Sequence, residues 1–409
     1  MQGVGKMKVA VIGGGAAGMI AAGSCKNAEV TLFDRNEKLG KKLYITGKGR
    51  CNFTNVCDND EFLRNVVNNV PFLRSTLSKF SPYDAVELVE SNGCKTKVER
   101  GRRAFPLSDK ASDVTAALRR YAEKNGAEIE LNADIENIVK TADGFTLELS
   151  GGKKERFDRV IVCTGGRSYP STGSDGSMYD IIKKLGHNVL PCYPSLVGLK
   201  TQENLSAAEG LTLKNVTLSA DGVKPIFGDL MITGDGISGP IALTLSAYAA
   251  RRAFPYGIFI DFKPSITQDE LDKRIIKDFS TRLNKQFKNA LDDLLPNSII
   301  RFIIERSGID ETRAVNSVTK AERRALCEAI KNFKLTVVGT DGFSRAVVTS
   351  GGVDVKQINP KTMESRLVDG LYFGGEVIDV DALTGGYNIQ IALSTGYVAG
   401  VSAGIKGNE

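Results

Sequence analysis

The stretch from Lys8 to Asp34, KVAVIGGGAAGMIAAGSCKNAEVTLFD, constrains this chain more than any other. Val9–Ile12 is a short apolar run that reads as a buried strand, and Gly13, Gly15 and Gly18 follow it in G-x-G-x-x-G spacing. A helix of small residues, Ala16 to about Ser24, comes next, and a second β-rich run, Val30–Phe33, ends on Asp34. Gly13 permits the tight strand-to-helix turn, Gly15 admits a pyrophosphate close to the backbone, and Gly18 lets helix and strand pack together. The helix N-terminus offers unpaired N–H groups to phosphates. Asp34, about twenty residues after the first glycine, suits the hydroxyls of an adenosine ribose. An ordinary βαβ unit does not explain three glycines where side chains would block an approaching ligand, so the stretch reads as a dinucleotide site.

A rival reading is export. Lys6 and Lys8 before the apolar run, with Ala22-Gly23-Ser24-Cys25 after it, imitate a signal peptide with a lipidation cysteine. GGGAAG interrupts the apolar run, and cleavage before Cys25 would destroy the dinucleotide site, so this reading is rejected, with Met7 as an alternative start. The 409 residues suggest two or three domains, and 42% hydrophobic with 25% charged residues is a globular composition. No apolar run is long enough to span a membrane. Seven scattered cysteines without a C-x-x-C point to a reducing, cytoplasmic setting. The formal charge of +6 comes without a concentrated Lys/Arg block, which gives no reason to expect a nucleic-acid partner. His187 is the single histidine. It rules out a multi-histidine metal site, and its place just after a helix reads as structural. No metal is expected, and no catalytic residue is assigned.

Further along, Arg35 to Lys42 and Thr46 to Asn55 combine glycines, cations and small polar groups, a composition shared by phosphate-wrapping loops and by mobile surface loops. Glu61 to Asn92 reads as helices, Cys94–Glu99 as a strand, Gly101–Pro106 as a basic turn and Ala111–Asn125 as a helix. Glu128–Leu131, Ile135–Lys140 and Phe145–Leu149 read as a small antiparallel excursion, closed by the buried strand Arg159–Val162 and Thr164-Gly165-Gly166. Met178–Leu185 reads as a helix. After Pro191, short β-runs surround a second G-x-G-x-x-G, Gly234 to Gly239. Pro240 follows at once, where a nucleotide-binding helix needs its N–H groups, so this motif reads as a packing turn. Gln268–Asn289, Asn297–Arg306 and Lys320–Asn332 read as helices, with Leu271, Ile275, Phe279 and Leu283 at helical spacing. Arg345–Thr349 is a strand before Ser350-Gly351-Gly352. A buried strand ends in Gly374-Gly375-Glu376, and Gly385-Gly386-Tyr387-Asn388 leads into a last helix, Ile391–Ala403. Glu376 suits a ribityl or ribose hydroxyl, and the N–H groups of Asn388 and Ile389 suit the N1/O2 edge of a reduced flavin.

Together GGGAAG (13–18), GKKLYITGKGRCNFTN (40–55), CTGGRSYPSTGSDG (163–176), VTSGGV (348–353), TMES (362–365) and GLYFGGEVIDVDALTGGYNIQIALSTG (370–396) resemble the bacterial FAD-dependent flavoproteins called BaiN-like, YhiN-like or the aminoacetone oxidase family. The resemblance implies an α/β, Rossmann-like two-dinucleotide-binding-domain flavoprotein fold with a β-rich plus helical insertion. The domains expected are a discontinuous FAD domain (1–190 and 341–409), a β-rich insertion (191–266 and 334–340) and a helical insertion (267–333). FAD contacts are implied at Gly13, Gly15, Ala16, Ala17, Gly18, Asp34, Arg35, Lys42, Gly49, Arg50, Cys51 and Asn52. Others are implied at Ile135, Thr164, Gly165, Gly375, Glu376, Gly386, Asn388 and Ile389. Family members often carry Thr-His-x-Gly-[Leu/Ile]-Ser-Gly-Pro in the insertion; here Thr233 is followed by Gly234, so the histidine and any proton-donor role tied to it are missing. The activity implied is an FAD-dependent oxidoreductase, reduced by NAD(P)H entering transiently, acting on a small or planar substrate such as a conjugated enone of a bile-acid intermediate. Amine oxidation is the alternative. Arg167 and Tyr169 are substrate-side candidates, although surface exposure explains them as well. From other classes, a flavin-holding RNA-binding protein and a non-catalytic sensor stay open.

Overall fold

Four consecutive buried residues, Val9–Ile12, end β1 (Met7–Ile12), the pattern of a strand covered on both faces. The computed structural model describes residues 6–405. Helix α1 (Ala16–Ser24) crosses to β2 (Ala28–Asp34), which pairs with β1 in parallel, Ile12 opposite Phe33. A short α2 (Lys41–Ile45) and β3 (Thr54–Asn55) follow, then α3 (Asn59–Arg64), α4 (Val70–Lys79) and α5 (Pro82–Ser91). Ser81 and Asp84 close a capping box at the start of α5. β4 (Thr96–Glu99) and β5 (Arg103–Pro106) form a hairpin that joins β3 in an antiparallel sheet. Helix α6 (Ala111–Lys124) returns the chain to β6 (Ala127–Leu131).

Here the structure corrects the sequence reading. The segment around Glu128–Leu131 does not belong to the antiparallel excursion; β6 pairs in parallel with β2, because α6 supplies the crossover that a parallel pair requires. The excursion is β7 (Ile135–Thr141), β8 (Gly144–Leu149) and β9 (Lys154–Phe157), and β10 (Arg159–Val162) then pairs with β1 on the side opposite β2. Helix α7 (Met178–Lys184) and β11 (Val189–Ser195) end this part of the unit, which resumes at Phe343.

Leu196–Gly342 forms a second unit. Strands β12 (Leu199–Thr201), β13 (Thr212–Ala220), β14 (Val223–Thr233), β15 (Gly236–Ser238), β16 (Tyr256–Asp261) and β17 (Phe333–Thr340) close an antiparallel barrel in the order β12-β15-β14-β13-β16-β17. Helix α8 (Pro240–Tyr248) starts directly after Gly239, and a Cβ on Gly236 would lie 2.0 Å from the Leu199 carbonyl, so the second glycine motif is a packing turn. Helices α9 (Gln268–Ser280), α10 (Asn297–Ser307) and α11 (Lys320–Lys331) share one apolar core with the barrel, Leu271, Ile275, Leu326 and Ile330 joining Leu218, Ile260 and Leu335. Helix α9 stops nine residues before the predicted Asn289. Leu283 is 53% exposed, and the Phe287 N–H turns away to the Arg313 carbonyl at 2.8 Å.

Back in the first unit, β18 (Val348–Val353) runs through the two glycines expected to follow it, because a Cβ at Gly351 would meet the Pro191 carbonyl at 2.2 Å and only glycine lets β11 pair this closely. β19 (Leu371–Phe373) completes a parallel sheet in the order β19-β10-β1-β2-β6. Helix α12 (Tyr387–Ala403) starts four residues earlier than the apolar pattern suggested, since Gly386 caps it with φ 98°. It lies so close to α1 that Cβ atoms on Gly396 and Gly400 would sit 2.3 and 2.2 Å from the Ala17 and Ala21 carbonyls. The fold is a Rossmann-like α/β sheet with helices, carrying an antiparallel β insertion. The strand order reverses between β1 and β10, the place where such sheets bind ligands.

Candidate cofactor and active site

The reversal point is built from backbone. Gly13 turns out of β1 with φ 101°, and a Cβ there would lie 2.5 Å from the Cys163 carbonyl at the end of β10. A Cβ on Gly18 would lie 1.8 Å from the Gly13 carbonyl, so this glycine sets the close helix–turn contact. Gly15 differs: a Cβ there would meet nothing within 4 Å. Above it the first N–H groups of α1, on Ala16, Ala17 and Gly18, have neither a side-chain cap nor an acid in the first turn. Asp34 is buried, and its Oδ2 accepts the Gly14 N–H at 2.7 Å while Oδ1 accepts the Asn36 N–H at 2.8 Å. The carboxylate therefore braces the glycine turn itself. Arg35 is held by Asp175 (2.7 Å) and Asp134 (3.1 Å). Next to Asp134, Ile135 has its side chain buried in the core, and the Ala133 N–H donates to the Asp34 carbonyl at 3.0 Å.

A second group of residues converges on Lys42. Its ammonium donates to Glu376 Oε2 at 2.7 Å, Ser174 Oγ at 2.9 Å and Ser168 Oγ at 3.0 Å. Glu376 Oε1 accepts from Ser168 Oγ at 2.6 Å and from the Thr349 N–H at 2.8 Å. The two charged side chains are 25% and 16% exposed. Burial alone would raise the Glu376 carboxyl, but the Lys42 charge and the hydrogen bonds from Lys42, Ser168 and Thr349 bring it below the ordinary carboxylate range. Gly165 packs against Ser174, and the adjacent Gly375 packs against Ala17, with its N–H donated to Thr395 Oγ1 at 2.9 Å.

The third part is the start of α12. Like α1, it lacks a side-chain cap and a first-turn acid. A Cβ on Gly386 would strike the Thr54 carbonyl at 2.4 Å and Asn52 Oδ1 at 2.9 Å, so the 46–55 loop and the helix end form one wall. Gln390 ties them further, accepting from Thr54 Oγ1 at 2.6 Å. The Asn388 side chain points back to Ala382, accepting its N–H at 2.9 Å and donating to its carbonyl at 2.7 Å, which leaves the backbone N–H groups of Asn388 and Ile389 in the first turn. Within the loop, Gly49 and Cys51 have φ 84° and 59°. The Arg50 guanidinium leaves the site: it stacks 4.2 Å over Phe105 and pairs with Glu99 and with Asp109.

The arrangement fits a dinucleotide cofactor. Asn52 Oδ1 and Thr164 Oγ1 are buried and have no hydrogen-bond partner among the described residues, a costly state that ligand hydroxyls or amides would relieve. The open space over Gly15 and the two uncompensated helix N-termini suit phosphates and a ring edge that turns negative. Sequence reasoning missed Ser168, Ser174 and Thr349, whose hydroxyls and N–H groups surround the Lys42–Glu376 pair; nothing local marks them. It also missed Asp379 and Asp381, buried beside Asn69 and Asn68 at 3.0 and 2.6 Å. Arg167 is exposed, with its guanidinium 4.9 Å over Phe343, and Tyr169 sits at φ 51° with its N–H on the Phe343 carbonyl. His187 lies in the core, its Nε2 2.8 Å from Ser365 Oγ and its ring edge-on to Phe373, and burial pushes its pKa down. Among the described residues no cluster of His, Cys, Asp and Glu is arranged to hold a metal ion, and no helix is long and apolar enough to cross a membrane.

Residues 7–402 match the family described as HI0933-like protein Rossmann domain. The chain belongs to this family. The family is one of FAD-dependent oxidoreductases. The chain is 32% identical over 413 residues to a 3-dehydro-bile acid delta(4,6)-reductase of Clostridium scindens, covering 97% of this chain and 98% of the relative. It is 32% identical over 401 residues to a ribosomal RNA dihydrouridine synthase of Haemophilus influenzae, covering 96% and 97%. Among solved structures, a 3-ketosteroid-delta4-(5alpha)-dehydrogenase of Rhodococcus jostii in complex with 4-androstene-3,17-dione superposes with a TM-score of 0.51 at 14% identity, over 99% of both chains. This last likeness is one of fold.

Proposed function

We propose that the protein is an FAD-dependent reductase that saturates a carbon–carbon double bond conjugated to a carbonyl, with NAD(P)H as the reductant. The supporting observation is the start of α12, where uncapped N–H groups on Asn388 and Ile389, walled by Gly386, Thr54 and Asn52, favour a group that becomes negative. The names of the two relatives point the same way: the delta(4,6) double bonds of a 3-dehydro-bile acid and the ring double bond of uridine that dihydrouridine lacks are both conjugated to a carbonyl. The FAD contacts proposed are the α1 N-terminus with Gly13, Gly15 and Gly18, Asp34, Lys42, the 49–52 backbone, Thr164, Gly165, Gly375, Glu376 and the α12 N-terminus. Bound FAD supplies the hydride chemistry. The chain's own part is to orient the cofactor, to hold Lys42 and Glu376 as a fixed charge pair, and to place the α12 dipole. No second nucleotide fingerprint stands in the chain, since the Gly234–Gly239 motif is spent on packing, so the nicotinamide is taken to enter transiently.

The test is an anaerobic spectrum of FAD-loaded protein before and after addition of NADPH or NADH. Rapid bleaching of the flavin, followed by reoxidation with an enone, is the expected result. Bound flavin that neither nicotinamide bleaches would overturn the proposal and direct the search to amine substrates with oxygen as acceptor.

A further inference from the structure

The cations that look scattered in the sequence gather on one small sheet. Lys48 comes from the 46–50 loop, Lys95, Arg100 and Arg103 from the β4–β5 hairpin, and Lys110 from the turn behind it, and all five are exposed. None of them forms an ion pair among the described residues; Arg103 donates only to the Arg100 carbonyl and lies 5.6 Å over Phe105. Lys110 occupies the N-cap of α6, the helix end where the dipole disfavours a cation. Of the local acids, Asp109 and Glu99 pair with Arg50 and Lys97 and Glu61 pairs with Arg102, while Asp113 accepts from the Ser108 hydroxyl and Glu90 from Thr96. Alternation along β4 separates the faces. Thr96 and Val98 turn towards α5, where Thr96 bonds Glu90 and Val98 borders a cavity of about 340 Å³ with Val56, Tyr83 and Glu87. Lys97 and Glu99 share the opposite face with Arg103 and Phe105, across which Arg50 is stacked.

This cationic face adjoins the candidate site. Asn55 Nδ2 donates both to the Gly101 carbonyl in the hairpin turn and to the Gly385 carbonyl before α12, each at 3.0 Å. A small anion is captured by donors that converge, and that are commonly buried; here the unpaired cations are all exposed and come from separate segments. Leu107 and Ile45, 55% and 44% exposed, add apolar contact among them. Spread, unpaired cations interleaved with apolar side chains suit a ligand that carries a regular series of charges, as a nucleic-acid backbone does.

We propose that the β4–β5 hairpin, with Lys48 and Lys110, is the docking surface for a single-stranded RNA whose base is presented to the flavin edge held at the α12 N-terminus. The proposal rests on the reductase reading for the chemistry at that base, not for the docking itself.

The experiment uses the FAD-loaded full chain and a fluorescein-labelled, uridine-containing 20-nucleotide RNA, followed by anisotropy as salt is varied. Five phosphate contacts give a log–log salt slope of about −3.5, so affinity falls roughly a hundredfold between about 50 and 200 mM salt. K95Q/R100Q/K110Q is expected to weaken binding at least tenfold at 100 mM salt and to flatten the slope by about 2. K214Q/K224Q/K288Q, which removes the same charge from exposed lysines of the barrel unit, is expected to leave both unchanged. The single variant Arg100→Glu repeats the test should the triple variant be poorly folded. Equal losses in both triple variants, or no measurable binding by the unaltered protein, would overturn the docking surface. So would a raised KM for NADPH in the hairpin variant with RNA affinity unchanged, which marks the face as a dinucleotide site. Flavin bleaching and enone turnover, measured on the same samples, report the reductase reading separately. An RNA effect without turnover would sink that reading and keep the surface, and turnover without an RNA effect would do the reverse.

Discussion

Lys42→Met isolates the charge pair at the centre of the candidate site. The methionine keeps the aliphatic stem and removes the ammonium, leaving Glu376 with Ser168 Oγ and the Thr349 N–H but without a counter-charge. Removing one partner of a fully buried pair costs about 3–5 kcal/mol. These side chains are 25% and 16% exposed, so water screens part of the loss and about 2–3 kcal/mol is expected. For a unit of this size that lowers Tm by about 5–10 °C at pH 7. The pH dependence distinguishes the charge from mere packing. In the unaltered protein the Glu376 pKa is lowered, so its contribution is present above the unfolded value, about 4.3, and is lost as pH falls through the lower folded value. In the variant the Ser168 and Thr349 hydrogen bonds remain, but the Lys42 charge no longer offsets burial and that pKa moves upward from its value in the unaltered protein, a destabilisation felt at pH 7 and relieved as the carboxyl protonates. The Tm difference should therefore shrink steadily from pH 7 to pH 4. Differential scanning calorimetry of flavin-free protein at several pH values measures it. A deficit that stays constant across this range, or none at pH 7, would refute the assignment of Lys42 and Glu376 as a coupled pair.

Two further outcomes follow from the geometry of the proposed cofactor site. Gly15→Ala, entering open space, should cost about 1 kcal/mol of stability at the helix cap yet reduce FAD affinity at least tenfold, whereas Gly18→Ala, with a Cβ 1.8 Å from the Gly13 carbonyl, should abolish soluble yield; expression and flavin content of the two purified variants decide it. Thr164→Val removes a buried hydroxyl that lacks a partner, so the flavin-free protein should gain about 1 kcal/mol while FAD binding weakens, measured by Tm and by flavin fluorescence quenching; a loss of stability without flavin would show that the hydroxyl is satisfied within the protein.

The sequence by itself determined what depends on near neighbours. The strand β1, the glycines after it, α1 and the acid ending β2 lie within about thirty residues, and their periodicities and φ requirements are local, so the dinucleotide turn and the glycine-led start of α12 could be read before any fold was known. The length of α9 escapes such local reading, because the apolar spacing continues through Leu283 while the helix ends at Ser280. What only the tertiary structure decided involves partners far apart in the chain. Lys42 and Glu376 are 334 residues apart and meet because β19 is laid beside β10 at the edge of the same sheet that carries α1. Thr349 joins them from β18, and Asn55 links the hairpin turn to α12 over intervals of 46 and 330 residues. The same logic moved β6 from an antiparallel excursion into the parallel sheet. It also turned a chain without a cationic run into one with a cationic face: strand order and hairpin pairing, rather than spacing, decide which charges become neighbours.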